Sequence, residues 1–78
     1  MPPDALRHEP LAVEAWCDEH ALHVRLLDGR EVSVPLAWFP RLAKATPDQR
    51  AQHRLIGRGV GIHWPSVDED ISIKSLLF

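Results

Sequence analysis

The sequence predicts an α+β fold in which a three-stranded antiparallel meander is extended by one or more C-terminal strands, with two short helices between. Apolar and polar residues alternate with period two over residues 11–17, 22–27 and 31–36, as is typical of half-buried strands. Asp28-Gly29 separates the last two of these runs and is a strong hairpin signal. Thr46-Pro47-Asp48-Gln49 has the pattern of a capped helix start.

The first two strands are expected to place one apolar row each against the core. The inward rows are Leu11, Val13, Ala15 and Cys17 in the first strand and Leu22, Val24 and Leu26 in the second. This alternation leaves Trp16 on the opposite, outer face of the sheet. A polar turn at residues 18–20 joins the two strands.

The second hairpin is predicted to close through a type I′ turn at Asp28-Gly29, a turn that needs positive φ at both central residues. The third strand then covers residues 31–36. Pro35 closes it, because proline cannot donate to a strand ladder.

Two helices follow in the predicted order. Pro40 fits the first turn of a short helix over residues 40–45. The second helix starts at its Thr46 cap and is expected to reach residue 53 or 55, with Ala51 and Leu55 facing inward at i, i+4 spacing.

Glycines at positions 57, 59 and 61 predict a tight turn with positive φ at one or more of them. A phosphate-binding loop is not predicted, because no Lys-Ser or Lys-Thr pair follows and no strand–loop–helix context surrounds the glycines. The chain is expected to rejoin the sheet as a short strand over residues 62–64, and Pro65 ends that strand. Residues 71–73 favour a further strand that ends in a helical turn, and the alternative is a short helix capped by Asp68 or Asp70.

Length and composition favour a single small domain over residues 1–78, with residues 1–9 as a flexible leader. So short a chain has a small core, which makes self-association as a homodimer or binding to a protein partner a reasonable expectation. Cys17 is the only cysteine, so it is interpreted as a small buried hydrophobe. Because no signal peptide or membrane span is evident, we expect a cytoplasmic protein without membrane contact.

His63 with Asp68 and Asp70 is the candidate for metal or acid–base chemistry. One imidazole and two carboxylates suit a divalent ion, yet the paired histidine spacing of a helical zinc site is missing. General acid–base hydrolysis needs two carboxylates across a pocket, for which so small a domain has little room. We therefore predict no enzyme, no catalytic residue and no cofactor, and keep a small metal site as the third hypothesis.

Charge is distributed unevenly along the chain. Residues 41–58 carry five basic residues and one acidic residue, a local net charge of +4 within a chain whose total is −2. The basic residues are Arg41, Lys44, Arg50, Arg54 and Arg58. One interpretation is a nucleic-acid-binding surface. The other is structural, with Arg41 or Arg50 paired to Asp68 or Asp70.

The aromatic content suggests a surface for a protein partner, since tryptophan and arginine dominate the affinity of many interfaces. The candidate residues are Trp16, Trp38, Phe39, His63 and Trp64. We expect the partner to contact the outer sheet face and a corner formed by Trp38, His63 and Trp64.

Four sequence blocks in order resemble a small bacterial family, the domain of unknown function 2442: WFPRL at 38–42, ATP at 45–47, GIHWP at 61–65 and DEDIS at 68–72. The resemblance spans about residues 9–77 and departs at His53, where a tryptophan is expected. It implies an α+β fold and a partner encoded by a neighbouring gene, as in toxin–antitoxin pairs, but no established reaction. The leading hypothesis is a non-enzymatic interaction or regulatory module, the antitoxin-like partner of a two-protein bacterial system.

Overall fold

The protein has a mixed α+β fold built on two three-stranded antiparallel sheets. A computed structural model describes residues 10–77. The first sheet contains β1 (Ala12–Cys17), β2 (Ala21–Leu26) and β3 (Glu31–Pro35) in chain order. The second contains β4 (Arg54–Ile56), β5 (Gly61–Trp64) and β6 (Glu69–Ser72), also in chain order. The α+β class is confirmed, but the C-terminal strands form their own sheet and do not extend the meander.

Short helices connect the two sheets. These are a 3₁₀ turn at Leu36–Trp38, α1 (Pro40–Ala43) and α2 (Pro47–Ala51). The predicted capping box is present at α2: the Gln49 amide donates to Thr46 Oγ1 at 3.1 Å, and the Thr46 amide donates to Gln49 Oε1 at 2.9 Å. Further 3₁₀ turns lie at Pro65–Val67 and Ile73–Leu76.

Helix α2 is shorter than the sequence pattern predicted. Leu55 lies in β4, where it pairs with Ile62 of β5, and Ala51 is exposed. The expected i, i+4 apolar pair was therefore wrong. The segment has an acceptable helical pattern by itself, but pairing with β5 makes it a strand. Tertiary context often overrides local helix propensity in this way.

The hairpin between β2 and β3 uses a three-residue loop in place of the predicted type I′ turn. The Gly29 amide donates to the Leu26 carbonyl at 2.9 Å, and Gly29 has φ of +95°. Asp28 does not have positive φ, since Arg58 and Asp68 are the only non-glycine residues of 10–77 that do. A turn followed by a left-handed glycine is the usual three-residue hairpin loop.

A β-bulge in β1 changes which side chains face the core. The register shifts between Ala12, which pairs with Leu26, and Glu14, which pairs with Arg25. The extra residue is Val13, which is 49% exposed, while Ala12 is buried. The prediction that Val13 faces inward was wrong, because a bulge breaks the period-two alternation.

One buried cluster joins the two sheets and α1. It includes Leu22, Val24, Leu42, Ile62 and Trp64, all fully buried. Further members come from every strand except β4, from which Leu55 packs against the cluster. Burial of these apolar side chains is the main favourable term that holds so small a fold together.

The glycine-rich turn between β4 and β5 brings the second sheet against the first. Positive φ occurs at Gly57 and Gly59, as the glycine spacing predicted, and also at Arg58, which was not predicted. Gly59 is buried, and a Cβ placed on it would lie 2.9 Å from the Ala12 amide nitrogen and closer still to the Ala12 carbonyl oxygen. The turn can therefore pass β1 at this point only because position 59 has no side chain.

The predicted leader, residues 1–9, lies outside the described residues. Residues 10–77 contain no helix long and apolar enough to cross a membrane.

Replacing Gly59 with alanine is expected to destabilise the fold by roughly 3 kcal/mol or more, because positive φ and backbone overlap both oppose the new methyl group. Gly29→Ala is the matched control, since its φ is also positive but nothing lies within 4 Å of the added Cβ. The control should lose only about 1–2 kcal/mol. Urea unfolding followed by circular dichroism measures both, and equal losses would show that the Ala12 contact is unimportant.

Candidate functional site

The outer face of the first sheet carries a polar and aromatic network that we call the ladder face. It comprises Glu14, Trp16, Asp18, His23, Arg25, Glu31 and Ser33. Strand register sets two rows across the sheet: Glu14–Arg25–Glu31 and Trp16–His23–Ser33. These residues alternate along each strand with buried core residues, so they lie on the face away from the core.

His23 is the centre of the ladder face. Its Nδ1 lies 2.7 Å from Ser33 Oγ, and its Nε2 lies 2.7 Å from Asp18 Oδ2. Its ring stacks on Trp16 with centroids 5.4 Å apart and an interplanar angle of 19°. The imidazole is thus held at both nitrogens and on one face, and its side chain is 19% exposed.

Asp18 is held in place by the tight turn between β1 and β2. Its Oδ1 accepts the amide hydrogens of His20 and Ala21 at 2.8 and 2.7 Å. The hydrogen bond from the His23 side chain and these two backbone hydrogen bonds lower the pKa of the Asp18 carboxyl well below its ordinary value. Asp18 is therefore a fixed carboxylate at neutral pH.

Arg25 also contacts Trp16 and completes the network. Its guanidinium carbon lies 5.8 Å from the Trp16 ring centroid, and Nη1 lies 2.8 Å from Glu14 Oε1. Stacking on His23 and the nearby guanidinium of Arg25 therefore restrict Trp16 while leaving part of its ring accessible. A partly exposed tryptophan that its polar neighbours hold in place suits protein recognition.

Cys17 lies on the core side of the same strand. It is half-buried and packs against the core, and burial raises the pKa of its thiol, while nearby Arg50 opposes this change. The thiol is protonated at neutral pH, so it fits the predicted packing role better than that of a nucleophile.

The predicted aromatic corner does not form a single surface. Trp38 is 56% exposed, whereas Phe39 is half-buried against the core. His63 and Trp64 are consecutive in β5 and point to opposite faces of the sheet. Of the five predicted partner-binding residues, the structure exposes Trp38 and, in part, Trp16, Phe39 and His63.

Trp64 is fully buried, which removes it from any contact surface. Its indole N–H donates to the Arg50 carbonyl at 3.1 Å, and its ring lies beside His53, with centroids 5.8 Å apart. Trp64 therefore holds α2 against the second sheet. A sequence offers no direct sign of which tryptophan is buried, since both faces of a short strand can be covered.

His63 occupies a row of the second sheet with Arg54 and Asp70. Its Nδ1 contacts Asp70 Oδ1, and this pair lies on the exposed side of the sheet. Asp68 adopts a left-handed conformation in the preceding turn, with φ of +52°. Within residues 10–77 no three His, Cys, Asp or Glu side chains come together to hold a metal ion, so the third hypothesis finds no site at His63, Asp68 and Asp70.

Arg41 and Arg50 bind backbone carbonyls and not the predicted carboxylates of Asp68 and Asp70. Arg41 Nη1 donates to the backbone carbonyl of Asp68 at 2.8 Å, which does join the helical segment to the C-terminal part of the chain. Arg50 Nη1 donates to the Ala45 carbonyl at 2.8 Å and lies near two further carbonyls at the end of α1. Among the described residues, no salt bridge joins either arginine to Asp68 or Asp70. Arg50 binds at the end of α1 because the last carbonyl groups of a helix have no hydrogen-bond donor within the helix.

The other predicted nucleic-acid contacts, Lys44, Arg54 and Arg58, are exposed, as is Arg41. Arg54 shares its sheet row with His63 and Asp70, so an acidic group lies on the same face. Because Arg50 is bound to backbone carbonyls, the five basic residues are not all available as one nucleic-acid-binding surface.

The outer face of the second sheet contains an open groove of about 370 Å³. Ile56, Val60 and Gly61 line it, with Asp70 and Lys74 also contributing. Ile56 and Val60 are both 38% exposed. The groove lies outside the ladder face, and its charges of opposite sign select no single ligand class.

A family model described as "Protein of unknown function (DUF2442)" matches residues 12–78. The chain belongs to this family. A solved structure is similar as well: a protein of unknown function from Rhodospirillum rubrum ATCC 11170, with a TM-score of 0.79 and 30% sequence identity over 90% of this chain and 87% of that chain. A search of curated proteins found no match. The family predicted from the four sequence blocks is thus confirmed, and no reaction comes with it.

In this DUF2442 chain, sequence reasoning found Trp16 but missed its polar neighbours. Asp18, His23 and Ser33 are separated along the chain, and their meeting depends on strand register. The available signal was the meander itself, because pairing β2 with β3 around the predicted hairpin sets His23 opposite Ser33.

Burial of Trp64 predicts that Trp64→Phe destabilises this DUF2442 domain by roughly 2–3 kcal/mol, since it leaves a cavity and removes the indole hydrogen bond to the Arg50 carbonyl. Trp16→Phe is the matched control and should lose less than about 1 kcal/mol. Circular dichroism during urea unfolding gives both values independently of tryptophan fluorescence. A similar loss in the two variants would contradict the assigned core role of Trp64.

The lowered pKa of Asp18 predicts an acid-dependent loss of stability. Its carboxyl binds a proton less readily in the folded than in the unfolded chain, so its contribution is present above the ordinary pKa of 3.8 and is lost as the pH falls through the folded value. Asp18→Asn should remove this part of the pH dependence of the free energy of unfolding. Glu19→Gln, at a neighbouring side chain that is 91% exposed, is the control and should leave the dependence almost unchanged.

Proposed function

We propose that the protein is a non-enzymatic interaction module that binds a protein partner through the ladder face. The partner is the product of a neighbouring gene, and this chain is the antitoxin-like member of the pair. The observation that carries the proposal is Trp16, partly exposed and in contact with both His23 and Arg25 on the outer face of the first sheet. Tryptophan and arginine at the centre of a surface are frequent sources of binding energy.

Charge defines the chemistry of the partner. The ladder face carries the carboxylates of Glu14, Asp18 and Glu31 against the single guanidinium of Arg25, a formal net charge of −2 with His23 neutral. A complementary surface has basic side chains around an apolar or aromatic group that lies on Trp16. Such complementarity raises the association rate and excludes acidic partners.

The contacts within the ladder face favour affinity. Hydrogen bonds, stacking and an ion pair already restrict the side chains of Trp16, His23 and Arg25 in the free protein. Little rotamer entropy is therefore lost when a partner binds. Trp38, more than half exposed, offers a second aromatic contact outside the ladder face.

The ladder face is unsuited to nucleic acid, because its net negative charge repels phosphates. Nucleic-acid binding through Arg41, Lys44, Arg54 and Arg58 stays an alternative prediction for a different surface, with Arg50 bound to α1. Its signature is affinity for duplex DNA that falls steeply with salt. Fluorescence anisotropy at two salt concentrations detects it, and a flat or absent response removes it.

Co-expression with the neighbouring gene product and co-purification test the main proposal. Trp16→Ala is expected to weaken the complex at least tenfold, about 1.4 kcal/mol, while Leu27→Ala, at an exposed leucine in the hairpin loop, should leave affinity within about twofold. Isothermal titration calorimetry measures both after circular dichroism has confirmed folding. The proposal fails if no complex forms or if Trp16→Ala binds as tightly as the wild type.

Cytoplasmic location and homodimer formation are further parts of the proposal. Light scattering on the free chain and on the complex determines whether the partner replaces a second copy of this chain or adds to it.

A further inference from the structure

Three side chains of the ladder face form a continuous Ser–His–Asp hydrogen-bond chain: Ser33, His23 and Asp18. We propose that Ser33 is a nucleophile that accepts acyl groups from activated esters, with His23 as its general base and Asp18 as the residue that orients His23. This chemistry does not require the proposed partner. It rests on the arrangement of the three groups, on the protonation pattern that Asp18 imposes and on the accessibility of Ser33.

Asp18 determines which nitrogen of His23 carries the proton. An ionised carboxylate only accepts hydrogen bonds, so Nε2, at 2.7 Å from Asp18 Oδ2, must donate. In the neutral imidazole Nδ1 is then the acceptor, and it lies 2.7 Å from Ser33 Oγ. The Ser33 hydroxyl therefore donates to a basic nitrogen, which is the arrangement that activates a serine.

The imidazole is held firmly in this orientation. Two backbone amides position the Asp18 carboxylate, and Trp16 stacks on the ring. A general base must lie within hydrogen-bond reach of the proton that it removes. Here that distance is already met in the free protein, and no rearrangement is needed.

Strand register explains why Ser33 and His23 lie so close together. Leu26 donates to the Arg30 carbonyl at 2.7 Å and Leu36 donates to the His20 carbonyl at 2.9 Å, so alternate β2–β3 pairs exchange backbone hydrogen bonds. His23 and Ser33 form one of the intervening pairs, in which the Cα atoms approach more closely. The Ser33 amide then points away from β2, at the outer edge of the first sheet.

This edge position supplies a donor for the reaction. Strand β3 is the last strand of its sheet, so the Ser33 N–H faces outward beside its own exposed side chain. A backbone N–H next to the nucleophile can stabilise the oxyanion that forms on the ester carbonyl. The ester approaches from the solvent, because the face is open.

The chemical step balances without a further reagent. Ser33 Oγ attacks the ester carbonyl carbon while its proton moves to His23 Nδ1. The bond from the carbonyl carbon to the leaving oxygen then breaks, and that oxygen takes the proton from His23, which yields acyl-Ser33 and a free alcohol or phenol. Asp18 stays ionised throughout and stabilises the imidazolium.

A fluorophosphonate probe tests the proposal on the isolated full chain. The Ser33 oxygen displaces fluoride at phosphorus, so the intact mass rises by the probe less hydrogen fluoride, and peptide mapping locates the adduct. We expect Ser33 to react on the order of 100-fold faster than Ser75, consistent with a general base. Ser75 is the matched serine because its hydroxyl donates to the Ser72 carbonyl and not to an imidazole.

Variants separate an activated nucleophile from a merely structural hydrogen bond. Ser33→Ala should abolish the adduct, Ser75→Ala should not change it, and Asp18→Asn should slow labelling at least tenfold. The ¹⁵N chemical shifts of His23 should show a proton on Nε2 in the wild type and a different tautomer in Asp18→Asn. The proposal is overturned if Ser33 is not labelled, if Ser75 reacts equally fast, or if Asp18→Asn keeps the wild-type rate. None of these outcomes depends on a protein partner.

Discussion

Burial of Trp64 is the central packing constraint of this fold, because it ties the helical segment to the second sheet. The side chain is fully buried in the central strand of the second sheet, and its N–H donates to the Arg50 carbonyl in α2. The Arg50 side chain in turn donates to the Ala45 carbonyl beyond the end of α1. One indole and one arginine thus link both helices to β5, in a chain too short to supply many redundant contacts.

The second constraint is the close approach of Gly59 to the Ala12 backbone. It brings the glycine turn of the second sheet against β1, so two sheets that share no strand can share one core. The β1 bulge lies at the same place, where it turns Val13 outward and keeps Ala12 buried. The β1 bulge and the glycine turn therefore lie where the two sheets meet, and they make that contact possible.

The core leaves the outer face of the first sheet available for function. Because β1 to β3 bury only one face, Trp16, His23 and Arg25 are organised by each other and by Asp18 and Ser33. Within residues 10–77 every side chain of this network is at least partly exposed, and the same contacts that restrict Trp16 also align the Ser33 hydroxyl with His23. Binding and reactivity would then be two consequences of one cross-strand arrangement, separable by the residues that each requires.

The three-stranded meander, the α2 capping box, the glycine turn and the family could all be predicted from the sequence, because these depend on local periodicity, turn chemistry and ordered motifs. The sequence could not determine that residues 54–56 form a strand, since a segment this short takes its conformation from its pairing with β5. Nor could it show that Trp64 is buried while Trp38 is exposed, or that Arg50 binds helix carbonyls. Those outcomes, and the meeting of Asp18, His23 and Ser33, were decided by tertiary structure. Register and packing bring together residues that have no local signal of their own.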